Sequence, residues 1–419
     1  MTAAANAALR RPAVAWRDRL APTVGVVLIR LLSVATGLAY VKSYTGALSA
    51  AEVGTFFYLS TLSYALNALI FVPVDFYMQA RLAPLESLPA AALRRLVVPT
   101  LGLGLVACVA LGAPLVWLGK LRAADLPALY AVAALLYLCM SLRNLLNNRG
   151  SKVFVSSMLL VESLGRLVAF VAAAAVFGAS ARTLMASSAV ALGVEFGLIL
   201  LRARQRLRFG DGPAVLDAPA SVLRVAAPIS GSAVCNAVQL QAFRVAYPLA
   251  GLGATSALYG VVANIGQQAM AVCSSIFSQI ETPRLYQSNG GSIRRFVGLG
   301  ALLALAVLVG MTALAPQFVR LLTKQQYLPY AYAIGFGVVV EACNMIIGAY
   351  TVLLSLQRRT GALLAFNVVA AAASVGGCFG ALRLRPDDPF VIGYAVAGSQ
   401  LLMTLALVAF ASRRLPSAR

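Results

Sequence analysis

The chain predicts an all-α integral membrane protein, with twelve transmembrane helices in two six-helix repeats around a central cavity. Three observations carry that expectation. Of 419 residues, 61% are hydrophobic and only 11% charged, a balance that a water-soluble domain cannot cover with polar surface. Apolar runs of about 20 residues recur between short polar breaks, each long enough to cross a bilayer core of about 30 Å as a self-satisfied helix. The second half of the chain also echoes the first.

In order, residues 1–22 form a basic cytoplasmic arm in which Arg10, Arg11, Arg17 and Arg19 surround Trp16. The arm reads equally as a segment lying on anionic headgroups and as a solvated tail. Six spans follow near 23–41, 53–78, 97–118, 126–147, 153–178 and 183–201, making a first half over 23–201. The stretch 202–223, with Arg202, Arg204, Arg206 and Arg208 before Gly210, Asp211, Gly212 and Pro213, is a cytoplasmic linker. Spans near 224–248, 254–280, 296–315, 327–356, 361–382 and 390–411 build a second half over 224–411, and 412–419 is a cytoplasmic tail.

The echo lies in particular residues. Arg19–Gly25 (RLAPTVG) returns as Arg224–Gly231 (RVAAPISG), each opening a span with proline in its first turn, where the missing donor costs nothing. Tyr44 and Tyr247 stand near the ends of the first spans, and Arg81-Leu82 and Arg284-Leu285 follow the second, both offset by 203 positions. Asn148-Arg149 and Gln357-Arg358 occupy the loops after the fourth spans.

Charge gives orientation. The net charge of +21 would suggest nucleic acid in a soluble protein. Here the basic residues mark loops, and no nucleic-acid partner is implied. With the N-terminus in the cytoplasm, 22 basic residues fall in inner segments, eight in outer segments and four within spans. The positive-inside rule favours that orientation, with both termini cytoplasmic. The six cysteines fall inside spans without a CxxC pair and read as packing residues, so neither disulfide nor metal ligation is expected. Ser49-Ala50-Ala51 imitates a signal cleavage site, but Arg30 breaks the apolar run before it.

The four basic residues within spans are Arg30, Arg143, Arg166 and Arg244. Each costs roughly 2.5 to 3.5 kcal/mol at membrane depth on insertion scales, so each needs a partner or a wet cavity. Arg166 follows Glu162 by four residues and pairs with it as a structural ion pair. Arg143 lies about 6 Å from its helix end, where it either snorkels to the interface or stands at a cavity mouth as a substrate contact. Arg30 and Arg244 have no acid at helical spacing and are the leading candidates for substrate binding. Their planar forks suit phosphate oxygens. Glu195, Glu341 and Asp75 are candidates for ion coupling, or else counter-charges for the arginines. Tyr40, Tyr44, Tyr327, Tyr330 and Tyr332 gather near outer boundaries and read as interface anchors.

Leu48, Ser49, Glu52 and Gly54, between the first two spans, match a leucine, small residue, glutamate, glycine pattern. In physical terms Glu52 reads as a carboxylate near the positive start of the second helix. With the length, the twelve spans and the loops at Asn148-Arg149 and Gln357-Arg358, the run resembles the polysaccharide and O-antigen flippases. These belong to the multidrug, oligosaccharidyl-lipid and polysaccharide (MOP) exporter superfamily. The resemblance implies a MATE-like fold with a cationic lumen. It implies transport of an undecaprenyl-pyrophosphate-linked oligosaccharide from the cytoplasmic to the periplasmic leaflet of the cell inner membrane, for surface polysaccharide. Membrane lipids, and a polysaccharide polymerase with glycosyltransferases, are the implied partners, and no cofactor is.

Two other functions compete. A cation-coupled multidrug antiporter of the same superfamily needs cavity carboxylates, whereas the first span holds an arginine and no acid. A membrane glycosyl-transfer enzyme, a polymerase or ligase, needs acid-base groups on an ordered loop. The chain has no histidine and no outer loop beyond about a dozen residues. No GxxxxGK[ST] phosphate loop is present for nucleotide hydrolysis.

Overall fold

The computed structural model describes residues 16–82, 88–206, 209–210, 231–288, 290–356 and 360–414. The protein is all-helical in this fold. The first half contains α1 (Trp16–Ala47) and α2, which runs from Ala50–Leu66 through a π-helical turn at Asn67–Phe71 into Val72–Leu82. It continues with α3 (Ala90–Trp117), α4 (Leu126–Asn148), α5 (Lys152–Phe177) and α6 (Ala181–Arg206). The second half contains α7, made of 231–241 and Phe243–Leu249, then α8 (Gly253–Gln287) and α9 (Ile293–Ala313). After a short helix, Ala315–Leu322, and a 3-10 segment, Gln325–Ala333, come α10 (Ile334–Leu356), α11 (Thr360–Leu384) and α12 (Pro389–Arg414). The one strand pairing among the described residues is a two-residue parallel bridge, Leu88 on Phe209 and Pro89 on Gly210.

Ten of the described helices, α1–α6 and α9–α12, are long and apolar enough to cross a membrane. α7 is described only from residue 231, in two pieces that meet at Ala242, and α8 is diluted by Asn264, Gln267 and Gln268, which face cavities. The segment boundaries also shift. Trp16 already belongs to α1, so the arm ends before it, and Arg202–Arg206 continues α6 rather than starting the linker. Residues 1–15, Arg208, Asp211, Pro213, most of the Arg224–Gly231 echo and the Gln357-Arg358 loop lie outside the described residues.

Within the first half, α1 packs on α5, α5 on α6 and α4 on α6. The π turn of α2 is held against α4 by the Asn67 side chain, which donates to the Ala133 carbonyl at 3.2 Å, and by Phe71 stacked on Tyr137 at 4.9 Å. A π turn widens a helix and re-aims the residues beyond it, and Pro73 follows at once. Within the second half, α8 packs on α10 with near backbone contact. A Cβ on Gly266 or Gly337 would overlap the Ile334 or Ala263 carbonyl.

The buried residues of one hydrophobic core all come from the first half and those of another from the second, while a third joins the halves. The joining core lies at the end of the bundle that carries the α1–α2 turn. Tyr40, Tyr44, Val53 and Phe57 pack there with Phe243, Tyr247, Tyr259 and Tyr327. Gly54 sits there against Gly253 so closely that a Cβ would overlap the Gly253 carbonyl. Lys120 donates across to the Leu249 carbonyl at 2.9 Å. The halves are therefore sealed at this end. The tyrosines are corrected accordingly. Tyr40, Tyr44 and Tyr327 are at most 8% exposed and serve as packing, whereas Tyr332, at 59%, keeps the exposure of an interface anchor.

Candidate functional site

A cavity of about 490 Å³ opens between the halves. α1 presents Arg30, Ser33, Gly37, Tyr40 and Tyr44 to it, spacings of three or four residues that keep one helical face on the cavity. α8 does the same with Asn264, Gln268, Val272, Ser275 and Ile276. α2 contributes Phe56, Phe57, Ser60 and Tyr64, α5 contributes Glu162, Ser163 and Arg166, and α7 contributes Arg244. The wall between α1 and α5 is stitched by hydroxyls, with Thr36 to Ser163 at 2.7 Å and Ser33 to Ser163 at 3.3 Å.

Arg30 and Arg244, on the leading helices of the two halves, thus line one cavity. Arg30 is exposed toward the open end, about 21 Å along α1 from Tyr44, at the rise of a helix. Arg244 is half-buried near the sealed end, its guanidinium 4.4 Å from the centre of the Phe57 ring and 5.5 Å from that of Phe243. Ring faces stabilise a desolvated cation by up to about 2 kcal/mol, which offsets part of its burial cost. They leave its hydrogen-bonding edge unused, and its buried Nε has no acceptor among the described residues. Neither arginine has a carboxylate within ion-pair distance among the described residues.

Glu162 and Arg166 pair at 2.6 Å, as their spacing predicts. Both also line the cavity, so the pair is not hidden from a ligand. Arg143 departs from its expected place. It is neither a snorkelling residue nor a cavity-lining contact, but stands behind Glu162. It donates to Glu162 Oε2 at 3.1 Å and lies 3.0 Å from Glu195 Oε1. Both acids crowd one nitrogen, Nη1, which holds Arg143 in the wall. Glu195 is fully buried, and neither of its oxygens has an aligned hydrogen bond among the described residues. The lining as a whole carries three arginines against one glutamate, a net charge of +2.

The other two acids lie away from this cavity. Asp75, in the Val72–Leu82 part of α2, accepts from Gln79 at 2.7 Å and from Asn144 at 3.2 Å. Glu341, on α10, accepts from Asn344 at 3.3 Å. Neither meets an arginine among the described residues, so the counter-charge role falls to Glu162 and Glu195.

Glu52 is also corrected. Ser49 caps α2, accepting from the Glu52 backbone at 3.2 Å, while the Glu52 carboxylate reaches 129 residues along the chain to the Ala181 backbone N–H at 2.7 Å. It caps α6, not its own helix, and a carboxylate at a helix N-terminus is favoured there too. The residues missed from sequence were Asn264, Gln268 and Ser275. Their signal was available as a polar stripe at i, i+4 and i+11 of an otherwise apolar span.

No protein-family model matches the chain, and no curated protein matches it in sequence. Its fold does match solved structures. A multidrug resistance MATE family transporter of the MOP superfamily, in an inward-facing conformation, superposes with a TM-score of 0.54 at 13% identity. The match covers 93% of this chain and 98% of that one. A mutant of the Vibrio cholerae MATE transporter VcmN gives 0.56 at 12% identity, over 94% and 97% of the two chains. The lipid II flippase MurJ, in an inward closed conformation, gives 0.61 at 11% identity, over 95% and 88%. These neighbours are transporters and flippases, and the shared property is the fold.

Proposed function

We propose that the protein is a flippase carrying an undecaprenyl-pyrophosphate-linked oligosaccharide from the cytoplasmic to the periplasmic leaflet of the inner membrane. It does so by alternating access of its two halves, for surface polysaccharide synthesis. One observation carries this reading: Arg30 and Arg244, unpaired by any described carboxylate, face one cavity from the leading helices of opposite halves. A half-buried guanidinium without a counter-ion, as at Arg244, is costly, and a transported anion offsets that cost. A pyrophosphate carries more charge and more acceptor oxygens than a carboxylate, and each planar fork can hold two of those oxygens in turn as the head passes from Arg30 to Arg244.

In this reading α7 and α8 complete twelve crossings, both termini are cytoplasmic, and the open end of the cavity faces the cytoplasm. The sealed end, with its aromatic core and Gly54–Gly253 contact, is then periplasmic. The fold suits a multidrug antiporter equally well. The cavity charge does not, since its single lining carboxylate, Glu162, is already held by Arg166 and Arg143 and a cationic drug would meet net positive charge.

The deciding experiment is complementation of a strain lacking surface polysaccharide, with protein level measured alongside. The Arg30→Ala, Arg244→Ala double variant should lose most polymer at normal protein level, and Arg30→Lys should keep part of it, because lysine retains the charge but not the fork. Normal polymer from the double variant would remove the cationic-cavity mechanism.

A further inference from the structure

A second cavity, of about 350 Å³, lies between the halves and is lined by α2, α7 and α11 with no residue of α1. Its wall is almost wholly apolar, and Leu69, Val238 and Phe379 open it to the outside of the bundle. It follows α7 from Val234 to Leu249, about 22 Å at helical rise, which is most of the way across a 30 Å hydrocarbon core. It adjoins the cationic cavity at Tyr64 and, through a smaller gap, at Gln241. Tyr64 lines both spaces. Gln241 lines the groove and, with Arg244, a small polar gap beside it.

We propose that this groove seats the hydrocarbon chain of the amphiphile whose pyrophosphate binds the arginines, the junction of head and chain passing Tyr64. The inference rests on the flippase reading and adds where the chain lies. Any lipid satisfies an apolar groove, but only a molecule with an anionic head and a long chain fills both adjoining spaces at once. Chain transfer from bilayer to groove brings little hydrophobic gain, since lipid tails are as apolar as the wall. The groove therefore supplies contact and direction rather than affinity. Because Thr61 and Leu69 come from the first half and Val238 and Phe379 from the second, its shape changes when the halves rock. A seated chain then favours whichever state fits it better.

The test uses the full protein in phospholipid nanodiscs with a long-chain polyprenyl pyrophosphate carrying a diazirine near the head of its chain. After illumination, labelled peptides are mapped by mass spectrometry, with and without excess undecaprenyl pyrophosphate. Labelling of the groove stretches of α2, α7 and α11 that the competitor suppresses is the expected result. It should be lost in Ala246→Phe, which fills the groove, while that variant still binds inorganic pyrophosphate. If Ala246→Phe fails to fold, the wild-type map decides alone. Competed labelling confined to α1 and α8 would overturn the groove and leave the pyrophosphate reading standing. Uncompeted groove labelling, the mark of bulk lipid, would also overturn it. No competed labelling anywhere, with Arg30→Ala, Arg244→Ala indistinguishable from wild type, would overturn the flippase reading itself.

Discussion

Replacing Arg143 with methionine removes the only charge partner of Glu195 among the described residues, while Glu162 keeps Arg166. Because the Glu195 side chain is 0% exposed, it is left unpaired in the protein interior, where it must take up a proton or carry an uncompensated charge, a change that costs up to about 3 to 5 kcal/mol. The reverse deletion is milder. In Glu195→Gln, Arg143 still has Glu162 at 3.1 Å, so the loss is that of one charge-assisted contact, about 1.5 to 3 kcal/mol. The double variant Arg143→Met, Glu195→Gln should be more stable than Arg143→Met alone, a coupling of the kind seen only between groups in contact. Unfolding of such a protein is commonly irreversible, so the readout is the temperature that halves the monodisperse fraction after heating in detergent. The expected order is wild type, then Glu195→Gln, then the double variant, with Arg143→Met last. An Arg143→Met protein as stable as wild type, or a double variant worse than both single ones together, would refute the wall assignment. Retained polymer per folded molecule in the double variant would separate it from a substrate contact.

Three shorter predictions follow from other contacts. Gly54→Ala should weaken the sealed end by about 1 to 3 kcal/mol, as overpacking does, and raise labelling of Gln268→Cys from the periplasmic side; unchanged labelling would mean the Gly54–Gly253 contact does not hold the seal. Glu52→Ala should cost about 1 kcal/mol through the lost α6 cap, lowering the heating midpoint while leaving polymer per folded molecule intact. Arg204→Cys should react with a membrane-impermeant thiol reagent only in inside-out vesicles and Lys120→Cys only in intact spheroplasts, and the opposite pattern would invert the topology.

Most of the fold was legible because a bilayer leaves few choices. Backbone groups in hydrocarbon must pair internally, so length and hydropathy alone locate helices such as α1, α5 and α9. The linear signal was weakest where a helix faces water inside the protein. α8 loses apolar character through Asn264, Gln267 and Gln268, which line cavities, although its length still gave it away as a span. The candidate site was legible in its cations but not in its pairings. Spacing found Glu162–Arg166, since both lie on one helix, whereas Arg143 with Glu195 and Glu52 with Ala181 join helices far apart in the chain. The tyrosines misled for a related reason. Their position near span ends fits an interface belt and an inter-half seal equally, and only packing separates the two.

Arg244 is where the two parts of the molecule meet. Its guanidinium faces the cavity, yet it rests on Phe57 and Phe243, two residues of the core that seals the halves together. A ligand changes a conformational equilibrium only through contacts that differ between the states. An anion bound at Arg30 alone touches one half and leaves the seal unaffected. An anion drawn on to Arg244 takes the hydrogen-bonding edge that the rings leave free and neutralises charge that the ring faces hold, which weakens the Arg244–Phe57 contact, the one of the two that joins the halves. On the proposed flippase reading, the order of the arginines along the cavity, Arg30 at the open end and Arg244 at the seal, would let an anionic cargo loosen the closed end only after it has travelled the length of the cavity.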